Sequence, residues 1–148
     1  MMEGDGPRVL LVYANPAVTA TPVPPYGMER IAQSFQLAGC QVRMAAPFIE
    51  EDPGGFLAAL LIEEWDLVGF SVRNIDDALV VRSEEGAGDF DLEFYLDAVR
   101  PMVQAALSRF GPGRVLVGGS ALSSGPLPVL GFLGAELGIS GPADDLCW

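Results

Sequence analysis

Asp66-Leu67-Val68-Gly69-Phe70-Ser71-Val72 reads as a short strand that is apolar on both faces. Strands of this kind sit in parallel sheets covered by helices on both sides. The neighbouring sequence supplies the rest of such a sheet. Upstream, Pro53 to Glu64 puts Phe56, Leu57, Leu60 and Leu61 on one face of a helix. Gln41 to Ala46 alternates as a strand. Gly27 to Gly39 carries Met28, Ile31, Phe35 and Leu37-Ala38 at helical spacing, and Gly39 supplies the stop. Arg8 to Ala14 is a short apolar run halted by Asn15-Pro16.

Downstream, a long loop runs from Arg73 to about Asp91, with an acidic, Gly-rich middle (SEEGAGDFD). Leu92 to Phe110 reads as an amphipathic helix containing Pro101, broken by Gly111-Pro112-Gly113. Arg114 to Val117 is the fourth strand and runs into Gly118-Gly119-Ser120. Gly125 to Gly134 is a short helix that Ser123-Ser124-Gly125 can cap. Glu136 to Ser140 is the fifth strand, ending at Gly141-Pro142. Strand and helix alternate throughout. That pattern predicts a doubly wound α/β fold with five parallel strands in the flavodoxin-like (Rossmann-like) order 2-1-3-4-5. No repeat or linker divides residues 1–148, which read as a single domain with residues 1–7 as a disordered tail.

Composition removes many chemistries. The 148 residues include no histidine and no lysine. Ser-His-Asp and Cys-His catalysis, histidine metal ligation, Schiff-base chemistry and a P-loop lysine are therefore excluded. Cys40 and Cys147 cannot hold a zinc or iron-sulfur centre alone. A disulfide between them is not expected in a reducing cytoplasm. Cys40 reads instead as a small buried residue near a helix end. A net charge of -12 repels phosphate backbones and anionic bilayers, so nucleic-acid and membrane partners are not expected. No apolar run approaches the roughly 18 residues that span a bilayer, and a cytoplasmic setting follows as the default.

In an open α/β sheet, ligands bind beyond the carboxyl ends of the strands, near the topological switch. In the order 2-1-3-4-5 the switch lies between the first and third strands. Those two strands are followed by the long loops, Asn15 to Tyr26 and Arg73 to Asp91. Long loops in compact domains are usually functional. The first loop holds no G-x-G-x-x-G and no phosphate-cradling turn, which weighs against a dinucleotide or a flavin. The strand ends also lack the aspartate cluster and lysine of a receiver domain. At the third strand, Ser71-Val72-Arg73-Asn74 sets a hydroxyl, a guanidinium and an amide in a row. Arg73 can point into the cleft or pair with Asp76 or Asp77, which themselves read as solvated loop carboxylates. Gly118-Gly119-Ser120 removes side chains where a ligand would approach.

These residues together resemble the cobalamin-binding domain of B12-dependent radical SAM enzymes. The likeness runs through VLLVYANP, PPYG, LAGCQV, WDLVGFSVRNIDD, RVLVGGSALSSGP and LGAELGISGPADD, nearly the whole chain. It implies a corrin over the strand ends, with the dimethylbenzimidazole tail entering the sheet beside Gly118 and Gly119. A flat aromatic tail needs a deep apolar slot with a few hydroxyls at its wall. Ser71 matches the serine that contacts the tail, with Ser120 a second candidate. The resemblance implies further cofactor contacts from Asn15, Pro25, Tyr26, Val72, Arg73, Asn74, Gly141 and Pro142. The histidine that ligates cobalt from below in classical methylcobalamin domains is absent, so the mode is His-off. Arg73 is the candidate for that side, although a guanidinium has no lone pair to donate. Cobalt would be bound only through the cofactor.

Two departures stand out. Gly-Pro-Ala-Asp-Asp replaces the usual acidic Gly-Glu-Gly-Glu turn. The Cys-x-x-x-Cys-x-x-Cys motif of a radical SAM barrel is missing, so no iron-sulfur cluster is expected on this chain. The resemblance thus implies a corrinoid-binding module that is not catalytic alone. It would serve methyl transfer with a separate or missing radical SAM domain or subunit. The alternative is a cofactor-free interaction or regulatory domain of the same fold that has lost B12 binding.

Overall fold

The computed structural model of the chain describes residues 6–16, 25–73, 81–82, 90–91 and 95–141. Strand β1 (Arg8–Tyr13) pairs in parallel with β2 (Gln41–Ala45) on one side and β3 (Leu67–Ser71) on the other. Helices α1 (Tyr26–Leu37) and α2 (Pro53–Leu61) make the first two crossovers. After β3 come two short strands, β4 (Val81–Arg82) and β5 (Phe90–Asp91), which pair antiparallel in a sheet of their own. The sequence reading had only loop there. The residues that pair include the β-formers Val81 and Phe90, on either side of the Gly-rich stretch. Helix α3 (Leu96–Phe110), β6 (Val115–Gly118), α4 (Pro126–Leu133) and β7 (Leu137–Gly138) complete the fold. The large sheet runs β2-β1-β3-β6-β7, which is the expected 2-1-3-4-5 counted within that sheet alone.

The two faces of the sheet are covered unequally. Only the β1–β2 connection steps toward the β2 edge. Right-handed crossovers therefore put α1 on one face and α2, α3 and α4 on the other. On the three-helix face, Val68, Phe70, Val72, Val115 and Val117 are buried against Leu57, Leu60, Val99, Val103 and Leu133. On the α1 face, Val9 and Leu11 are buried with Met28 and Ala32, and Tyr13, Ile31, Phe35 and Val42 close around them. Cys40 joins this second cluster half-buried, where the sequence reading had it buried. Leu67 of β3 also packs against this cluster, and over β6 and β7 the α1 face meets no helix among the described residues. Leu137 there is 39% exposed.

Local signals set the helix ends. Asp52 caps α2 by accepting from the Gly55 N–H at 2.9 Å, and Pro53 takes the first turn. Gly39 (φ 89°) turns the chain from α1 into β2. Helix α4 is capped by Gly125, the last of the three residues expected there, with no side-chain hydrogen bond from a serine. Ser120–Ser124 is wound into a 3-10 turn instead. Pro126 and Pro128 also remove amide donors that a serine cap would satisfy. At the amino end of the sheet, Arg8 stacks 4.6 Å over Trp65 and pairs with Glu63, which also takes Arg43. These pairs are partly exposed and contribute about 1 kcal/mol or less each. The Pro7 carbonyl accepts from Gln41 N at 2.8 Å, and residues 1–5 lie outside the described chain.

Candidate functional site

Alternation along each strand decides what faces the half-open side of the sheet. Val68, Phe70, Val72, Val115 and Val117 point into the three-helix core. Leu67, Gly69, Ser71, Leu116 and Gly118 therefore face the α1 side. The strand register aligns them in rows. Tyr13 lies beside Ser71, and Ser71 beside Gly118, at the carboxyl edge. One row down, Met44, Leu11, Gly69, Leu116 and Leu137 align across all five strands.

The edge row forms a recess. Gly118 is bare, and among the described residues a Cβ built on it would find nothing nearer than the Ile139 carbonyl oxygen at 3.8 Å. Ser71 is half-buried, and its hydroxyl has no hydrogen-bond partner among the described residues. Tyr13 walls the side toward β1 and accepts from Asn15 Nδ2 at 3.2 Å. The chain leaves β1 pinned to this row, because Ala14 N donates to Ser71 O at 3.0 Å.

Gly119 has a different task from Gly118. Its φ is +104°, and a Cβ there would overlap the Val72 carbonyl oxygen and lie 2.8 Å from the Val72 nitrogen. Its missing side chain makes room for the backbone just after β3. The Val72 N–H donates to Gly118 O at 2.8 Å, and the Val72 carbonyl accepts from Ala121 N at 3.1 Å. The Val72 side chain is fully buried on the opposite face, so its part in the site is to hold backbone. Ser120 Oγ donates to the Arg73 carbonyl at 2.8 Å. The β3 and β6 ends are thus bound into one unit that carries Ser71, Arg73, Gly118 and Ser120.

Comparison with known proteins bears on the fold of this unit. No protein-family model matches the chain, and no curated protein sequence does. Among solved structures, it is similar to the radical S-adenosylmethionine methyltransferase TsrM from Kitasatospora setae with cobalamin and a [4Fe-4S] cluster bound. The TM-score is 0.78 at 24% identity, over 97% of this chain and 24% of that chain. The same enzyme with tryptophan substrate and a SAM analogue bound gives a TM-score of 0.78 at 23% identity, over 96% of this chain and 25% of that one. The likeness is one of fold. The chain spans about a quarter of TsrM's length.

The other expected contacts are spread around the same edge. Pro25 caps α1 with its carbonyl, which accepts from Met28 N and Glu29 N. Tyr26 opens that helix and is 66% exposed. Arg73 is exposed, and its guanidinium makes no ion pair among the described residues. Gly141 follows β7 with φ +94°, and no described residue comes within 4 Å of where its Cβ would stand. Asn74, Asp76, Asp77 and Pro142 lie outside the described residues, as do 17–24 and most of the second loop. Sequence reasoning passed over Tyr13, Leu11, Gly69 and Leu116. The available signal was their parity with Ser71 and Gly118, which becomes usable once the register is known. No group of three or more His, Cys, Asp or Glu among the described residues could hold a metal ion. No helix is long and apolar enough to cross a membrane.

Proposed function

We propose that this chain is a cytoplasmic cobalamin-binding module. It would hold the corrinoid without a histidine ligand, for methyl transfer or related radical chemistry on a radical SAM domain or subunit. One observation carries the reading. Ser71 and Gly118 stand side by side at the carboxyl edge, on the α1 face of the sheet, toward the part of it beyond α1. The fold around them is also that of TsrM, whose structure was solved with cobalamin bound.

The residues present fit such a group. Among the described residues the Ser71–Gly118 row carries no charged side chain, is bare at Gly118 and offers the Ser71 hydroxyl, which suits an aromatic ring with a hydrogen-bonding atom. When bound, a corrinoid supplies a cobalt centre able to accept and give up a methyl group. The chain's own part is to bind and orient. Ser71 offers a donor and an acceptor at the recess wall. Ser120 holds the Arg73 backbone, leaving the Arg73 side chain free to set a positive charge beside the site. No imidazole exists in the sequence to ligate cobalt, and guanidinium cannot. Hard catalysis would come from cofactor and partner.

Anaerobic incubation with hydroxocobalamin, followed by gel filtration and an absorption spectrum, tests the reading. A red protein with a corrin band near one equivalent is expected. A colourless protein overturns it.

A further inference from the structure

The row beneath the recess is filled differently from the recess itself. Gly69 lies directly below Ser71 on the same face, yet the space above it is taken. A Cβ built on Gly69 would come 3.0 Å from Leu11 Cδ2, so the Leu11 side chain leans over the glycine. On its other side Gly69 aligns with Leu116, and Leu116 with Leu137. Leu11 thus bounds the recess from below on the Gly69 side. The row of Leu11, Gly69 and Leu116 lies about 6.6 Å along the strands from the Ser71 row, at roughly 3.3 Å per residue.

We propose that Leu11 and Leu116 form an apolar ledge that selects the lower base of the corrinoid held here. The proposal rests on the corrinoid reading above. A base entering past Ser71 and Gly118 presents its leading edge to this ledge. Dimethylbenzimidazole presents methyl groups, which the leucines match. A purine base presents polar ring nitrogens or an amino group. Those atoms would lose water without gaining a partner, because the backbone groups of the interior strand β3 are engaged in the sheet ladders on both sides. A buried polar group left unpaired is the larger penalty in such a comparison. The ledge thus discriminates by rejecting polar bases, not by holding apolar ones unusually tightly.

The test is spectroscopic titration of the purified chain with three probes. They are cobalamin, the adenine-based cobamide, and cobinamide, which lacks a base. Wild-type protein is expected to bind cobalamin tighter than the adenine analogue by about tenfold or more, as one unpaired buried polar group predicts. Leu116→Thr puts a hydroxyl on the ledge and should shrink that ratio to about threefold or less, the scale of one regained hydrogen bond. Leu116 is half-buried, so this variant is chosen over a change at Leu11, which is 6% exposed and part of the core. Far-ultraviolet circular dichroism checks that the variant folds; if it does not, the wild-type ratio still decides. Equal binding of cobalamin and the adenine analogue removes the ledge and leaves the corrinoid reading standing. An unchanged ratio in folded Leu116→Thr also removes it. Failure to bind any of the three probes removes both.

Discussion

Gly119 and Val72 are in backbone contact: a Cβ on Gly119 would overlap the Val72 carbonyl oxygen and sit 2.8 Å from the Val72 nitrogen. The contact closes the turn after β6 onto the end of β3. Val72 N bonds Gly118 O, and Ala121 N bonds Val72 O, so the amide and the carbonyl of Val72 are both spent on this turn. The candidate site stands on this junction.

Gly119→Ala is therefore expected to destabilise the fold. It sets a Cβ against immovable backbone and into a left-handed conformation, which together cost about 2–4 kcal/mol. Urea unfolding measures it. A loss below about 0.5 kcal/mol, the range of an ordinary surface substitution, would contradict the contact.

Gly118→Val separates site from scaffold. A Cβ at Gly118 meets only ordinary contact at 3.8 Å, and a β-branched residue suits a strand. Stability should hold or rise by about 0.5–1 kcal/mol, the usual strand cost of glycine. Corrinoid uptake should fall about tenfold or more, because the recess is filled. A variant that is stable and binds normally would show that the recess is not where the cofactor sits.

These two glycines also mark what the sequence made legible. The strands β1, β3 and β6 were readable as Val- and Leu-rich runs and β2 from its alternation, and their succession with helical patterns set the order. Gly118 and Gly119 look alike in sequence. Only the register of β6 against β3 shows that one opens a recess and the other admits backbone. Leu11 reads as plain core. Its lean over Gly69 depends on a pairing between strands 58 positions apart, which no local pattern carries. Of the Ser123-Ser124-Gly125 stretch expected to cap α4, Gly125 holds the cap position, while the serines are drawn into the 3-10 turn ahead of Pro126. Cover on both faces was expected from apolar strands, and the handedness of the crossovers divided it three helices to one.

Ser71→Ala probes the hydroxyl at the recess wall. No hydrogen bond within the described residues is lost, so stability should change by about 0.5 kcal/mol or less. Cobalamin affinity should weaken about threefold to tenfold, the net worth of one hydrogen bond. Equal affinity in the two proteins would assign Ser71 a purely spatial role.

Arg73 offers the sharpest test of how cobalt is approached. The residue is exposed, and Ser120 bonds its backbone carbonyl, so replacing the side chain spares that link. Arg73→Ala should unfold at the wild-type urea concentration and shift the absorption of bound cobalamin, if the guanidinium stands below the corrin. Arg73→His goes further. It gives a histidine-free chain one imidazole, a good cobalt ligand where guanidinium is none. Reduced to cobalt(II), the wild-type complex should show no nitrogen splitting in its paramagnetic resonance signal, and Arg73→His should show it. If the spectra of wild type, Arg73→Ala and Arg73→His coincide, Arg73 lies elsewhere. The lower face of the cofactor would then be set by groups other than the end of β3.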